Sequence, residues 1–226
     1  MVGCHQNGDG TVRHDGIVSS LPPEFFRRQD ERPDDQFYAV PRPASHLDER
    51  ADRVVSAWYD ELLPGGGHVL DLFAGAASHL PERVSPVTGV GLDTDALERN
   101  ERLTARHRLD LNQQPSLPFG ERSLDGAVCT VSVQYLTQPV AVFAEVARCL
   151  RPGAPFLVAF SNRMFPTKAV LCWRVSDDAA HARLVRSYFA AAGGFSPVEA
   201  RSFVPDADGD PLYLLWAAAD PAVRPA

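Results

Sequence analysis

The chain has no apolar run near the roughly 20 residues that a membrane-spanning helix needs. It also has no internal repeat and almost no lysine: Lys168 stands alone among 22 basic residues. Its four cysteines, Cys4, Cys129, Cys149 and Cys172, form no C-x-x-C pair and have no zinc-ligand spacing to histidine. A structural zinc site of the usual kind is therefore excluded. Cys129 and Cys149 sit inside apolar stretches and are expected to be small buried hydrophobes. Positive charge is scarce too: 22 basic against 29 acidic residues leave a net charge of −7, too little basic surface for an unassisted nucleic-acid binder. The opening stretch MVGCHQNGDG holds no apolar h-region, so no secretory signal is read there. These absences point to a soluble protein, expected to be cytoplasmic. Its arginine, alanine and proline richness suggests a high-GC bacterial genome.

What is present suits one globular domain. A hydrophobic share of 45% over 226 residues can bury a sizeable core. Residues 1–20 lack periodicity and are expected to form a disordered leader. Residues 21–64 read as a helical cover or lid over the strand ends: a short helix starting near Pro23, an extended piece over 36–40, then a helix from an N-cap at Ser45. Val54, Val55, Trp58, Leu62 and Leu63 mark that last helix, which stops at Pro64 and the following glycines. From residue 65 onward the order becomes strand, turn, helix, strand. HVLDL, VTGVGLD, SLDGAVCTVS and APFLVAFS are buried-strand runs, and RHRLDL (106–111) is a weaker one. PVAVFAEVARCL and residues 178–192 carry helical stripes, and FSPVEARSFV with PLYLLWAAA reads as a closing antiparallel hairpin. The fold class is therefore α/β: a Rossmann-like, mainly parallel seven-stranded sheet over 65–226, with a C-terminal antiparallel β-hairpin and helices on both faces.

In such sheets ligands bind beyond the carboxyl ends of the strands, where the strand order reverses. The first strand runs into Asp71-Leu72-Phe73-Ala74-Gly75-Ala76-Ala77, and the second ends at Asp93. Small residues after strand one let a ligand approach the backbone. An acid closing strand two can accept both hydroxyl hydrogens of a ribose. Both features suit a nucleoside-containing cofactor, although a lone Gly75 would suit any tight strand-to-helix turn.

Together with VLDLFAGAA and VTGVGLDTDAL, the stretches LPFGERSLD and EVARCLRPG give a sequence that resembles the class I S-adenosylmethionine-dependent methyltransferases. The small type 11 group is the nearest, over about 67–160. The resemblance implies S-adenosyl-L-methionine as cofactor. It implies Asp71 near the cofactor's amino group, with Phe73, Ala74 and Gly75 along the methionine portion. Asp93 would hold the ribose, with Thr94 beside the adenine. Asp110, Leu111 and Asn112 follow strand three on the adenine side, where Asp110 is equally readable as a solvated loop acid. Val131 and Ser132 would face the sulfonium. One departure matters: only the middle glycine of the family's Asp-x-Gly-x-Gly-x-Gly pattern is kept. Phe73 stands at the first glycine position and would be strained wherever the backbone needs φ > 0.

Methyl transfer is an in-line displacement that can rest on proximity and alignment, with a base needed only for a protonated acceptor. Tyr38, His46, Tyr135 and Arg163 are the acceptor-side candidates. Each has a structural alternative: a pocket wall for Tyr135, a cap or surface residue for His46, loop carbonyls for Arg163. His79 reads as a buried structural residue and His181 as solvent-exposed. The expected partner is a small-molecule acceptor, with no nucleic acid or membrane, in a monomer or homodimer. A methyltransferase-fold binding module without catalysis, or an enzyme using the bound sulfonium for non-methyl chemistry, remains the alternative.

Overall fold

A computed structural model describes residues 18, 21–38, 47–206 and 208–220. His46, Ser45 and nearly all of the expected leader lie outside them. Val18, inside that leader, is buried against the core.

Seven strands form one sheet: β1 (Val69–Leu72), β2 (Val87–Gly91), β3 (Ala105–Arg108), β4 (Gly126–Thr130), β5 (Pro155–Phe160), β6 (Glu199–Phe203) and β7 (Leu212–Ala218). Their order is β3-β2-β1-β4-β5-β7-β6. The first five are parallel, and β7 runs antiparallel between β5 and β6. β1 and β2 are buried throughout, as continuous apolar runs flanked on both faces must be. β3, ARHR, is mostly exposed and shorter than expected, an edge strand protected by its arginines. From β1 the chain travels outward to β3, then returns to lay β4 on the other side of β1. The crevice between those two strand ends is the reversal point.

One sheet face is covered by α4 (Pro139–Cys149) and α6 (Asp178–Ala192), which share Phe143, Phe156, Tyr188 and Phe189 with the sheet, and the short α5 (Leu171–Arg174) adds Trp173 to the same core. The opposite face is covered by α2 (Glu49–Leu62) and α3 (Thr94–Arg99). Helix α2 starts later than the sequence suggests. Asp48 is its cap, Oδ1 accepting from the Arg50 and Ala51 amides at 2.9 Å. The side chains it buries most deeply are Ala51, Val55 and Tyr59, one per turn.

Three other expectations change. No helix forms between β1 and β2, because Pro81 bars a helical hydrogen bond and disfavours helix at Leu80, leaving too few residues after Gly75 to close one. Of the piece expected to be extended, residues 36–38 are instead helical, in α1 (Asp34–Tyr38), which has two acids in its first turn. His181 is buried: it falls on the same α6 stripe as Leu184, Val185 and Tyr188, and its ring stacks on Trp173 at 4.0 Å.

The N-terminal cover is held down by charge. Asp34 is 5% exposed and accepts from Arg28 Nη1 at 2.7 and 2.8 Å and pairs with Lys168 Nζ at 3.0 Å. Lys168 Nζ also donates to the carbonyls of Asp30 and Arg32. The single lysine of the chain thus ties the cover to the loop after β5.

Candidate functional site

A cleft of about 1010 Å³, counted with its open mouth, lies over the ends of β1, β2 and β4. Its floor is the turn after β1. Ala74 N–H donates to Val90 C=O at 2.9 Å, drawing the turn across the end of β2. Gly91 permits this, since a Cβ there would sit 2.5 Å from the Ala74 carbonyl oxygen. Asn100 fixes the far side of the turn, its Nδ2 donating to Gly75 C=O at 2.8 Å and to Ser78 Oγ at 2.9 Å. Ser78 Oγ in turn donates to Asp71 Oδ2 at 2.6 Å. Burial pushes the Asp71 carboxyl up to about 6, the Ser78 hydrogen bond opposing the shift.

Two residues of this floor stand in the left-handed region. Phe73 has φ 59° and Val131 has φ 48°. They occupy equivalent places, one at the end of β1 and one at the end of β4, and both line the cleft. A β-branched residue there is a backbone outlier. Two of the three non-glycine residues with positive φ among the described residues thus face each other across one crevice.

Of the residues singled out from the sequence, Tyr38, Asp71, Phe73, Ala74, Gly75, Asp93, Val131, Ser132 and Tyr135 line the cleft. Asp93 also caps α3, Oδ1 accepting from Ala96 N–H at 2.9 Å, which leaves Oδ2 for a ligand. Tyr135 is buried, its hydroxyl accepts from the Phe165 amide at 2.8 Å, and burial pushes it up to about 12. That is the chemistry of a wall, and no base near neutrality. Thr94 is exposed beside the cleft and outside its lining. Asp110, Leu111 and Asn112 are not brought in. Asp110 braces its own turn, Leu111 is core, and Asn112 bonds Asp34 and the Tyr135 carbonyl.

Arg163 borders a second hollow that shares Val131, Tyr135 and Phe165 with the first. Its Nε donates to Asp210 Oδ1 at 2.5 Å, so it pairs with a buried acid and not with loop carbonyls. Asp210 also accepts from the Asp48 amide at 2.8 Å, linking this hollow to the start of α2. Sequence reasoning missed His79, which lines the first cleft with its Nδ1 bonded to Asp52 Oδ1. The missed signal was long-range: Asp52 belongs to a helix preceding β1.

Residues 61–158 match the family model of a methyltransferase domain. The bifunctional biotin-biosynthesis protein BioHC of Teredinibacter turnerae is 24% identical over 75% of this chain, which spans 35% of that protein's length. Among solved structures, an S-adenosylmethionine-dependent methyltransferase from Archaeoglobus fulgidus superposes with a TM-score of 0.55 at 15% identity, covering 74% of this chain and 94% of that one. Another, from Thermotoga maritima, gives 0.53 at 15% identity, covering 75% and 91%. The sheet order and closing hairpin are thus those of a methyltransferase fold.

Proposed function

We propose, for a chain whose residues 61–158 form a class I S-adenosylmethionine-dependent methyltransferase domain of the type 11 group, that the cleft over β1, β2 and β4 binds this cofactor and passes its methyl group to a small-molecule acceptor. The observation that carries the reading is the floor of the cleft: a buried, underpartnered Asp71, a strained turn exposing backbone at 73–75, and Asp93 with one free carboxylate oxygen. These groups fit the cofactor's ammonium, its methionine chain and one ribose hydroxyl. When bound, the cofactor supplies a methyl carbon already activated by positive sulfur.

The protein's own contribution is placement and exclusion of water. Val131 and Ser132 bring backbone from the end of β4 beside the turn after β1, on the side where the acceptor must approach in line. Tyr38, Tyr135 and Phe165 close that side from above, and the Arg28–Asp34–Lys168 cluster holds Tyr38's helix in place. The second hollow, with Met164 and Phe165 beside the Arg163–Asp210 pair, suits an acceptor having an apolar body. With Tyr135 protonated at neutral pH, it is not the base for a protonated acceptor.

Calorimetric titration with S-adenosylmethionine and S-adenosylhomocysteine tests the site. Micromolar binding by the wild type, weakened at least about tenfold by Asp93→Ala, is expected for a lost hydrogen bond to a charged acceptor. Equal binding by both proteins would remove Asp93 from the site.

A further inference from the structure

The turn after β1 meets the anionic end of any ligand without the help of a helix. No helix follows it, so no helix N-terminus points its amides and positive dipole end at a carboxylate. Two side chains that can carry positive charge line the cleft, Arg99 from α3 and His79 from the turn itself. His79 lines the cleft four residues past Gly75, with its ring 15% exposed. Its Nδ1 is committed to Asp52 Oδ1, which fixes the ring plane and the tautomer. In the neutral ring this leaves Nε2 an acceptor, and only the imidazolium presents an Nε2–H. Nε2 has no protein partner among the described residues. Asp71 lies close enough to feel the His79 charge.

The geometry points to His79 as the ligand of the cofactor's α-carboxylate, with Asp52 as its positioning residue; the inference rests on the cofactor site proposed above. A carboxylate and an imidazole lining one end of the same cleft match an ammonium and a carboxylate borne on one carbon. Asp71 takes the first, and His79 takes the second through Nε2–H. Asp52, anchored in α2, couples this end of the cleft to the helix whose cap, Asp48, meets Asp210 of the second hollow.

The test pairs two ligands that differ only in the carboxylate, S-adenosylhomocysteine and its decarboxylated analogue, titrated calorimetrically against wild type, His79→Gln and Asp52→Asn. Glutamine keeps a neutral hydrogen-bond donor without the cation. The expected result is a loss of at least about tenfold in affinity for S-adenosylhomocysteine with His79→Gln, and about threefold with Asp52→Asn, while the decarboxylated analogue changes less than about twofold. Thermal melts identify a variant that fails to fold, and the other variant then decides. Equal losses for both ligands, or none for either, would overturn the assignment while leaving the cofactor site standing. A wild type that binds neither ligand would overturn the cofactor site itself, and this assignment with it.

Discussion

Two connections flank the central strand pair, and they are built in opposite ways. From β4 to β5 the chain makes helix α4, whose Val142, Phe143, Val146 and Cys149 are buried against the sheet and α6. From β1 to β2 it makes no helix, and residues 73–86 are held by polar groups: Asn100 on Gly75 and Ser78, Ser78 on Asp71, Asp52 on His79, and Arg102 on the carbonyls of Leu80, Pro81 and Val84. The first connection is held by area and shape, the second by directed bonds to buried polar atoms. A segment that cannot bury a helix face must satisfy its backbone some other way. Two of the side chains bonded in this way, Asp71 and His79, also line the cleft. Stability and function are therefore separable on one connection and entangled on the other.

The largest expected effect breaks the apolar side. Phe143 is fully buried, and its ring meets Phe156, Tyr188 and Phe189 at 4.9 to 5.7 Å. Phe143→Ala should cost about 3–5 kcal/mol in denaturant unfolding, with cofactor affinity of the folded fraction unchanged. A changed affinity would mean that the two connections are coupled through β4.

On the polar side a substitution should stabilise the protein and abolish function together. The Asp71 carboxyl is raised from 3.8 to about 6 by burial. Between those values the folded state holds the proton and the unfolded chain does not. Stability therefore falls as pH rises through this window, and the full deficit, about 3 kcal/mol at 1.36 kcal/mol per unit, is present above about pH 6. Asp71→Asn removes this penalty. Its advantage over wild type should grow from near zero at about pH 4 to about 3 kcal/mol at pH 8, while the affinity for S-adenosylhomocysteine collapses. Parallel pH–stability curves for the two proteins would show that Asp71 is not held out of ionisation.

Asn100→Ala separates bracing from binding on the same loop. It strands the Gly75 carbonyl and leaves the Ser78 hydroxyl only its bond to Asp71, costing about 1–3 kcal/mol, and should weaken the cofactor by loosening the turn it rests on. Unchanged hydrogen exchange at 75–79 would show that the turn needs no brace.

The same contrast decides what could be read from the sequence. The core strands were legible as continuous apolar runs, and α4 was legible because burial repeats every 3.6 residues, the period that Val142, Phe143 and Val146 carry. Asp71, Gly75 and Asp93 were legible as a strand end, a small-residue turn and a second strand end. His79 was not, because its meaning comes from Asp52, 27 positions earlier on another element. Asp34 and Lys168 were hidden in the same way, 134 positions apart (168 − 34) and joined at 3.0 Å. The missing helix could have been seen in Pro81. His181 could have been seen in its spacing to Leu184, Val185 and Tyr188. Asp110 and Asn112 followed a strand end as ligand residues do, but the N-terminal cover claims Asn112 for Asp34.

The smallest effect bears on Phe73, where the strain foreseen from the sequence coincides with φ 59°. Replacing it by glycine alone would not measure that strain, since the half-buried ring and the added freedom of the unfolded chain change together. Comparing Phe73→Gly with Phe73→Ala removes the ring from both sides. In ordinary backbone alanine is the more stabilising by about 0.4–1 kcal/mol, through the entropy of the unfolded chain. In the left-handed region the Cβ clash, roughly 1–2 kcal/mol, opposes and outweighs it. The glycine variant should therefore unfold at higher denaturant than the alanine variant, by about 0.5–1 kcal/mol. It should also bind S-adenosylhomocysteine at least as well as wild type, because the backbone that the ligand meets is then under no strain. An alanine variant as stable as the glycine one would mean that the turn relaxes out of φ > 0 once the ring is gone. In that case the ring, packed against the core, holds the turn in the strained shape, and Phe73 itself forms the floor of the cleft.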